Sequence, residues 1–147
     1  MPQQHEWQAR IKAVEREHSA MRLAADHLLV ASQLDPTIVR GDLKRRDIAR
    51  ASQGLDGTYV IRLFAEFETG LRQYWETTRD SHPPMRDLLN GLAAMCGIPD
   101  TQRDNVHLVR VYRNSLVHER EEEVDPIPIA VARGYLCHFF SFLPPHW

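Results

Sequence analysis

Residues 58–78 read TYVIRLFAEFETGLRQYWETT, and this stretch decides the fold. Val60, Leu63, Phe64, Phe67, Leu71, Tyr74 and Trp75 recur at helical spacing, which gathers them into one wide apolar stripe. The stripe carries aromatic bulk, so it belongs in a core of packed helices. Charged residues fall elsewhere on the wheel. Arg62 with Glu66, and Glu68 with Arg72, stand four apart, the spacing of helix-supporting ion pairs.

Chain breakers bound this helix. His82-Pro83-Pro84 stops it, and MRDLLNGLAAMC follows as a short helix closed by Gly97, with Pro99 just beyond. Asp100 or Thr101 can cap the next helix, which is expected to run to about Glu121. There Glu121, Glu122 and Glu123 oppose the helix dipole and should fray its end. Asp125-Pro126 and Pro128 make a rigid connector to a last helix over about 129–142, which carries Val131, Tyr135, Leu136, Phe139 and Phe142. Upstream, Trp7, Ile11, Val14, His18, Met21, Ala25 and Leu28 line one face of a long first helix. Pro36 ends it by disfavouring the helical conformation at Asp35. His18, inside that apolar face, reads as a core or interface histidine with a hydrogen-bond partner. Residues 40–57, RGDLKRRDIARASQGLDG, read as a short helix flanked by loops. With no strand alternation and no internal repeat, the expectation is an all-α fold: an antiparallel helical bundle of about five to six helices in a single domain, 1–147.

A chain of 147 residues, 43% hydrophobic and 26% charged, has the size and composition of one globular domain that buries a core without staples. Cys96 and Cys137 form neither a framework nor a CxxC pair, so they are expected as buried free thiols in a reducing cytoplasm. No run nears the roughly 20 apolar residues of a membrane span, and MPQQHEWQAR has no signal-peptide core. A cytoplasmic protein without membrane contact is the expectation. A net charge of −2 argues against coating nucleic acid by bulk charge but leaves room for a local basic site. The one locally basic stretch holds Arg40, Lys44, Arg45, Arg46 and Arg50. Such a run is usually a solvated face; its functional reading is a patch for nucleic-acid backbone.

The stretch VYRNSLVHE, residues 111–119, holds the chemistry. On an ideal helix Val106, Val109, Leu116 and Val117 share one broad arc, and Arg113 falls inside it. A guanidinium among apolar residues is costly unless paired; Glu68, Glu66 or a second copy of the chain could pair it. Asn114 and His118 stack on the neighbouring polar face with Arg110 and His107. Arg113 and His118, five apart, would point roughly 140° from each other. They meet at one small group only if the arginine reaches around, the helix distorts, or two chains share a site.

At RNSLVHE the chain resembles the HEPN superfamily, whose motif is an arginine, four to six residues, then a histidine, often with asparagine directly after the arginine. Here the matching positions are Arg113, Asn114 and His118. RRDIARASQGLDGTYVIRLFAEFETGLRQYW is similar to the charged segment and long helix that precede the motif helix in prokaryotic members. The resemblance implies a bundle that forms a homodimer with its motif helices facing. It implies a metal-independent endoribonuclease acting on single-stranded RNA, in a toxin or defence role, with a nucleotidyltransferase-like antitoxin as a partner such proteins take. Other members are non-catalytic dimers that bind RNA, a nucleotide or a protein partner. The site implied is Arg113, Asn114 and His118 with a carboxylate, Glu68 ahead of Glu66. Arg110, Arg45, Arg46 and Arg50 are expected to contact substrate.

These residue types suit metal-free RNA cleavage. The 2′-hydroxyl attacks the adjacent phosphorus, a base takes its proton, an acid protonates the leaving 5′-oxygen, and cations stabilise the phosphorane. A free histidine side chain titrates near pH 6.5 and can do either proton job. Arginine's fork matches two phosphate oxygens. Apart from His118, His107 and His138 are the best placed for a metal, but no HExxH and no Cys/His ligand spacing occurs. A P-loop and a nucleophile elbow are also missing, so neither metal nor organic cofactor is expected.

Overall fold

The computed structural model describes residues 3–118 and 123–147. Among these it has five α-helices and no strand: α1 Gln4–Leu34, α2 Arg45–Thr78, α3 Met85–Cys96, α4 Asp100–Val117 and α5 Ile129–Phe140. A 3-10 turn, Pro36–Ile38, follows α1. The architecture is the all-α helical bundle that the periodicity predicts.

The largest departure lies in α2. Its 34 residues absorb the basic stretch and the core stripe in one helix, without a loop at Gly54 or Gly57. Each glycine costs a helix about 1 kcal/mol relative to alanine. Contacts with α1 outweigh that cost. His18 Nε2 lies 2.6 Å from Asp56 Oδ1, Arg22 bonds Ser52 Oγ at 2.9 Å and Asp56 at 3.0 Å, and Arg45 Nε donates to Ser32 Oγ at 3.2 Å. Partners that rise on α1 as they fall on α2 make the two helices antiparallel. Gly57 also has a packing role, because a Cβ there would stand 3.1 Å from the Leu116 side chain. At the start of α2 the Lys44 backbone N–H donates to Asp47 at 2.9 Å, which satisfies one orphan donor. His18 is buried with a carboxylate partner, as its place in the apolar face predicts.

The core gathers on the C-terminal half of α2. Leu63, Phe64, Phe67 and Leu71 are fully enclosed by Trp7 and Ile11 of α1, Leu88 and Leu92 of α3, Val106 and Val109 of α4, and Leu136, Phe139 and Phe140 of α5. At Gly70 the helices approach so closely that a Cβ would come within 2.9 Å of the Phe140 and Trp7 rings. α5 lies antiparallel to α1. Glu15 pairs with Arg133, Gln8 donates to the Cys137 carbonyl at 3.3 Å, and Gln4 Nε2 donates to the carbonyls of Phe140 and Leu143 at 3.0 and 2.7 Å. The Gln4 backbone N–H closes the arrangement on Pro145 at 3.1 Å.

Several local expectations need correction. Arg62 turns away from Glu66 to bond Glu17 on α1 at 2.5 Å. The first helix buries only the first part of its periodic face, and Met21 and Leu28 are 46% and 40% exposed. Pro99, rather than Asp100 or Thr101, holds the cap position of α4, which suits proline because its missing N–H would be an orphan there anyway. α5 ends at Phe140, two residues short of the expected Phe142. α4 stops at Val117, short of the expected Glu121; Glu121 and Glu122, where fraying is expected, lie outside the described residues. α3 has the boundaries that its flanking prolines and glycine predict, and Gly97 caps it at φ 63°. Gly97→Ala is expected to cost about 1 kcal/mol, because a Cβ is disfavoured in the left-handed region. A urea midpoint lowered at unchanged slope would register it; an unchanged midpoint would mean that the cap does not hold this conformation.

Both cysteines are free thiols, Cys137 buried and Cys96 half-buried. Burial pushes both thiols up, which keeps them protonated and poorly nucleophilic. Among the described residues no helix is long and apolar enough to cross a membrane.

Candidate functional site

α4 lies antiparallel to α2, with Arg113 beside Phe64 and Glu68 and Leu116 beside Gly57. Val106, Val109 and Tyr112 bury the inner face of α4, while Leu116 and Val117 are 39% and 47% exposed. The apolar arc read from the wheel is therefore covered only along its first part. Arg113 sits where that cover ends, with 29% of its side chain exposed.

Three groups contact the Arg113 guanidinium. Nη1 donates to Asn114 Oδ1 at 2.9 Å, the Phe64 ring lies 5.4 Å below its central carbon, and Glu68 Oε2 stands 4.0 Å from Nη2. The carboxylate contact is at the limit of an ion pair, because Glu68 is engaged more closely by Arg72, at 2.8 Å. Of the two carboxylates the sequence offered, the structure brings Glu68 to Arg113. Arg113 Nε is buried and has no hydrogen-bond partner among the described residues. Arg72, held by Glu68 and by the Pro83 carbonyl at 3.1 Å, completes the cluster. Arg72, Gln73, Glu76, Thr69, Glu68 and Arg113 line one surface pocket of about 450 Å³. Arg72 and Arg113 balance Glu68 and Glu76 in formal charge, but their guanidiniums still offer N–H donors in a concave place, which can meet an anion. The i,i+4 spacing identifies Arg72 as a partner of Glu68; only the tertiary fold makes it a neighbour of Arg113.

His118 departs from the wheel. Its backbone is extended, φ −113° and ψ 124°, just after the last helical residue. Its N–H still caps the Asn114 carbonyl at 2.9 Å, and its exposed imidazole makes no hydrogen bond or ion pair with the described residues. The 140° divergence calculated for an ideal helix therefore does not apply, since the helix ends before the histidine. No helix-stop residue marks this point; the acidic run beyond it opposes the dipole.

The remaining candidates separate into two places. Arg110 lies one turn before Asn114 on α4, and its Nε donates to His107 Nδ1 at 3.2 Å. His107 Nε2 meets Asn90 Oδ1 at 2.8 Å, so both ring nitrogens are engaged within the fold. His138 stacks on Phe142 at 5.6 Å. Arg45, Arg46 and Arg50 stand on the first turns of α2, 18 to 23 residues before Glu68, which is roughly 27–35 Å along the helix axis. The structure does not bring them to Arg113. Charge reversal across Arg46 and Arg50 is expected to weaken RNA binding without sequence preference and to flatten its salt dependence by about 0.7 in slope per lost phosphate contact. Unchanged affinity and slope in an anisotropy titration would return them to a solvated face.

Arg113→Ala removes the ring contact and the charge-assisted hydrogen bond from a partly exposed site, so a loss of about 1–2 kcal/mol is expected. That is smaller than the several kcal/mol of a truly buried pair. A thermal melt lowered by roughly 2–6 °C would register it; an unmoved melt would mean that Arg113 carries no structural share. No family model, curated protein or solved structure matches the chain.

Proposed function

We propose that the chain is a HEPN-type, metal-independent endoribonuclease that cleaves single-stranded RNA, in the cytoplasm and in a toxin or defence role. The observation that carries this reading is the Arg113–Glu68–Arg72 cluster in a surface pocket, with Asn114 bonded to Arg113 and His118 just past the end of the same helix on extended backbone. Arg113 and Arg72 would hold the scissile phosphate and stabilise the phosphorane. Asn114, bonded to Arg113, would fix that guanidinium. His118 would take the 2′-hydroxyl proton or protonate the 5′-oxygen, giving a 2′,3′-cyclic phosphate and a free 5′-hydroxyl.

A homodimer would supply a second histidine, so that one acts as base and the other as acid. Exposed Leu108, Val111 and Leu116 on α4 support such a pairing, because they leave apolar surface on the motif helix itself. A nucleotidyltransferase-like antitoxin is the partner that the resemblance suggests. The rival reading is a non-catalytic dimer that binds RNA, a nucleotide or a protein partner; the exposed apolar residues of α4 would serve it equally. Incubating purified protein with labelled single-stranded RNA in excess EDTA separates them. Cleavage that disappears in His118→Ala supports the enzyme, and absence of cleavage by the wild-type dimer supports the binding module.

A further inference from the structure

α3 and α4 line a second polar surface pocket, of about 410 Å³, formed by Arg86, Asn90, Arg103, Asp104, His107 and Arg110. Three of its six residues are arginines. Arg103 is offset by Asp100 at 3.2 Å and Asp104 at 3.0 Å. Arg86 is exposed and forms no ion pair among the described residues. Arg110 faces the same space, its Nε held by His107.

His107 braces this pocket. Accepting from Arg110 at Nδ1 and meeting the Asn90 amide oxygen at Nε2 requires the neutral tautomer with its proton on Nε2. Burial, then the charges of Arg110 and Arg103, hold its imidazole below the ordinary histidine value, with Asp104 opposing and Arg86 adding to the effect. A neutral brace between two helices fixes where the guanidiniums stand without adding charge of its own.

The pocket shares α4 with the site already described. Arg103, His107, Arg110 and Asn114 follow one another at four, three and four residues on α4, so they form a single stripe. Asn114, at the end of that stripe, accepts the Arg113 hydrogen bond. From Arg110 to Asn114 is about one turn and from Arg103 about three, or roughly 6–17 Å of helix. A stacked strand carries one phosphate per roughly 3.4 Å, so two to five nucleotides would cover that span.

We propose that the Arg86–Arg103–Arg110 pocket is a second phosphate subsite, which holds the backbone of a single-stranded nucleic acid a few nucleotides from the phosphate at Arg113. The assignment rests on the nucleic-acid reading of the Arg113 site, but its test does not depend on cleavage. The probe is a fluorescein-labelled 2′-O-methyl RNA oligonucleotide, which cannot be cut, titrated by anisotropy at several salt concentrations. Arg86→Glu should weaken binding about tenfold, and Arg86→Gln less. In both variants the slope of log K against log salt should become shallower by about 0.7. Separately, inorganic phosphate should shift the His107 imidazole resonances in the wild type and in His118→Ala alike.

Unchanged affinity and slope in Arg86→Glu would overturn the strand track. A nucleoside monophosphate that displaces the oligonucleotide at matching concentration would overturn it in favour of a nucleotide pocket. His107 resonances unmoved by phosphate would overturn the anion site itself. A wild type that binds the oligonucleotide with these dependences but never cuts ordinary RNA would remove the ribonuclease reading and leave the subsite standing.

Discussion

Phe67→Ala is expected to lower the free energy of unfolding by about 3–5 kcal/mol. Phe67 is fully buried and meets three rings: Phe64 at 5.7 Å, Phe139 at 5.8 Å and Phe140 at 6.2 Å. The first shares its helix and the other two belong to α5, so truncation opens a cavity at the contact between two helices. Gly70, one turn on, already brings Trp7 and Phe140 as close as they can stand, and a wall this tight collapses poorly into a void. Domains of this kind hold about 5–15 kcal/mol in total, so the variant should sit near the edge of folding at 37 °C. Phe67→Leu should lose distinctly less. Urea unfolding followed by circular dichroism provides the measurement, and a loss below about 1 kcal/mol would mean that Phe67 is not enclosed as described.

His118→Ala is expected to do the opposite: abolish cleavage and leave the fold intact. A general acid or base contributes about 10²–10⁴ in rate, and the variant should lose at least that much from single-turnover RNA cleavage. Its stability should stay within about 0.5 kcal/mol of wild type, because the imidazole is exposed and makes no bond to the described residues. Arg113→Ala should lose activity too, but with a lowered melt. The two variants thus differ in stability while agreeing in activity. Cleavage that survives in His118→Ala would end the catalytic assignment, whatever happens to Arg113.

How far the fold could be read from the residues depends on what each signal reports. Pro84, Gly97 and Pro99 act locally, and α3 has the limits they imply. Periodicity on α2 likewise identifies Leu63, Phe64, Phe67 and Leu71, all buried. Periodicity on α1 says that a face is apolar but not whether another helix covers it, and so Met21 and Leu28 share that face yet stand exposed. The continuity of α2 through Gly54 and Gly57 depends on His18, Arg22 and Ser32 across the interface, which no local propensity contains. In the site, the resemblance suggested Glu68 by position, and the fold brings it to Arg113. The wheel misplaced His118 because it assumed a helix that has already ended. Arg86 and Asn90 escaped notice for another reason: an i,i+4 pair on a short helix becomes a pocket wall only when α4 packs beside it.

The closure between α1 and the segment after α5 has a consequence for the order of assembly. Trp7 and Ile11 are made long before part of their cover, Phe140 and Leu143 with the carbonyls that Gln4 binds. At ribosomal speeds of about 5–20 residues per second the gap is on the order of ten seconds. During that interval α1 can pair with α2 through the His18–Asp56 and Arg22–Ser52 bonds, whose partners lie 38 and 30 residues apart. Trp7 meanwhile has only the α2 side of its cover, at Gly70. The nascent hairpin thus stays adhesive until the segment around Phe140 and Leu143 emerges and completes the cover of Trp7.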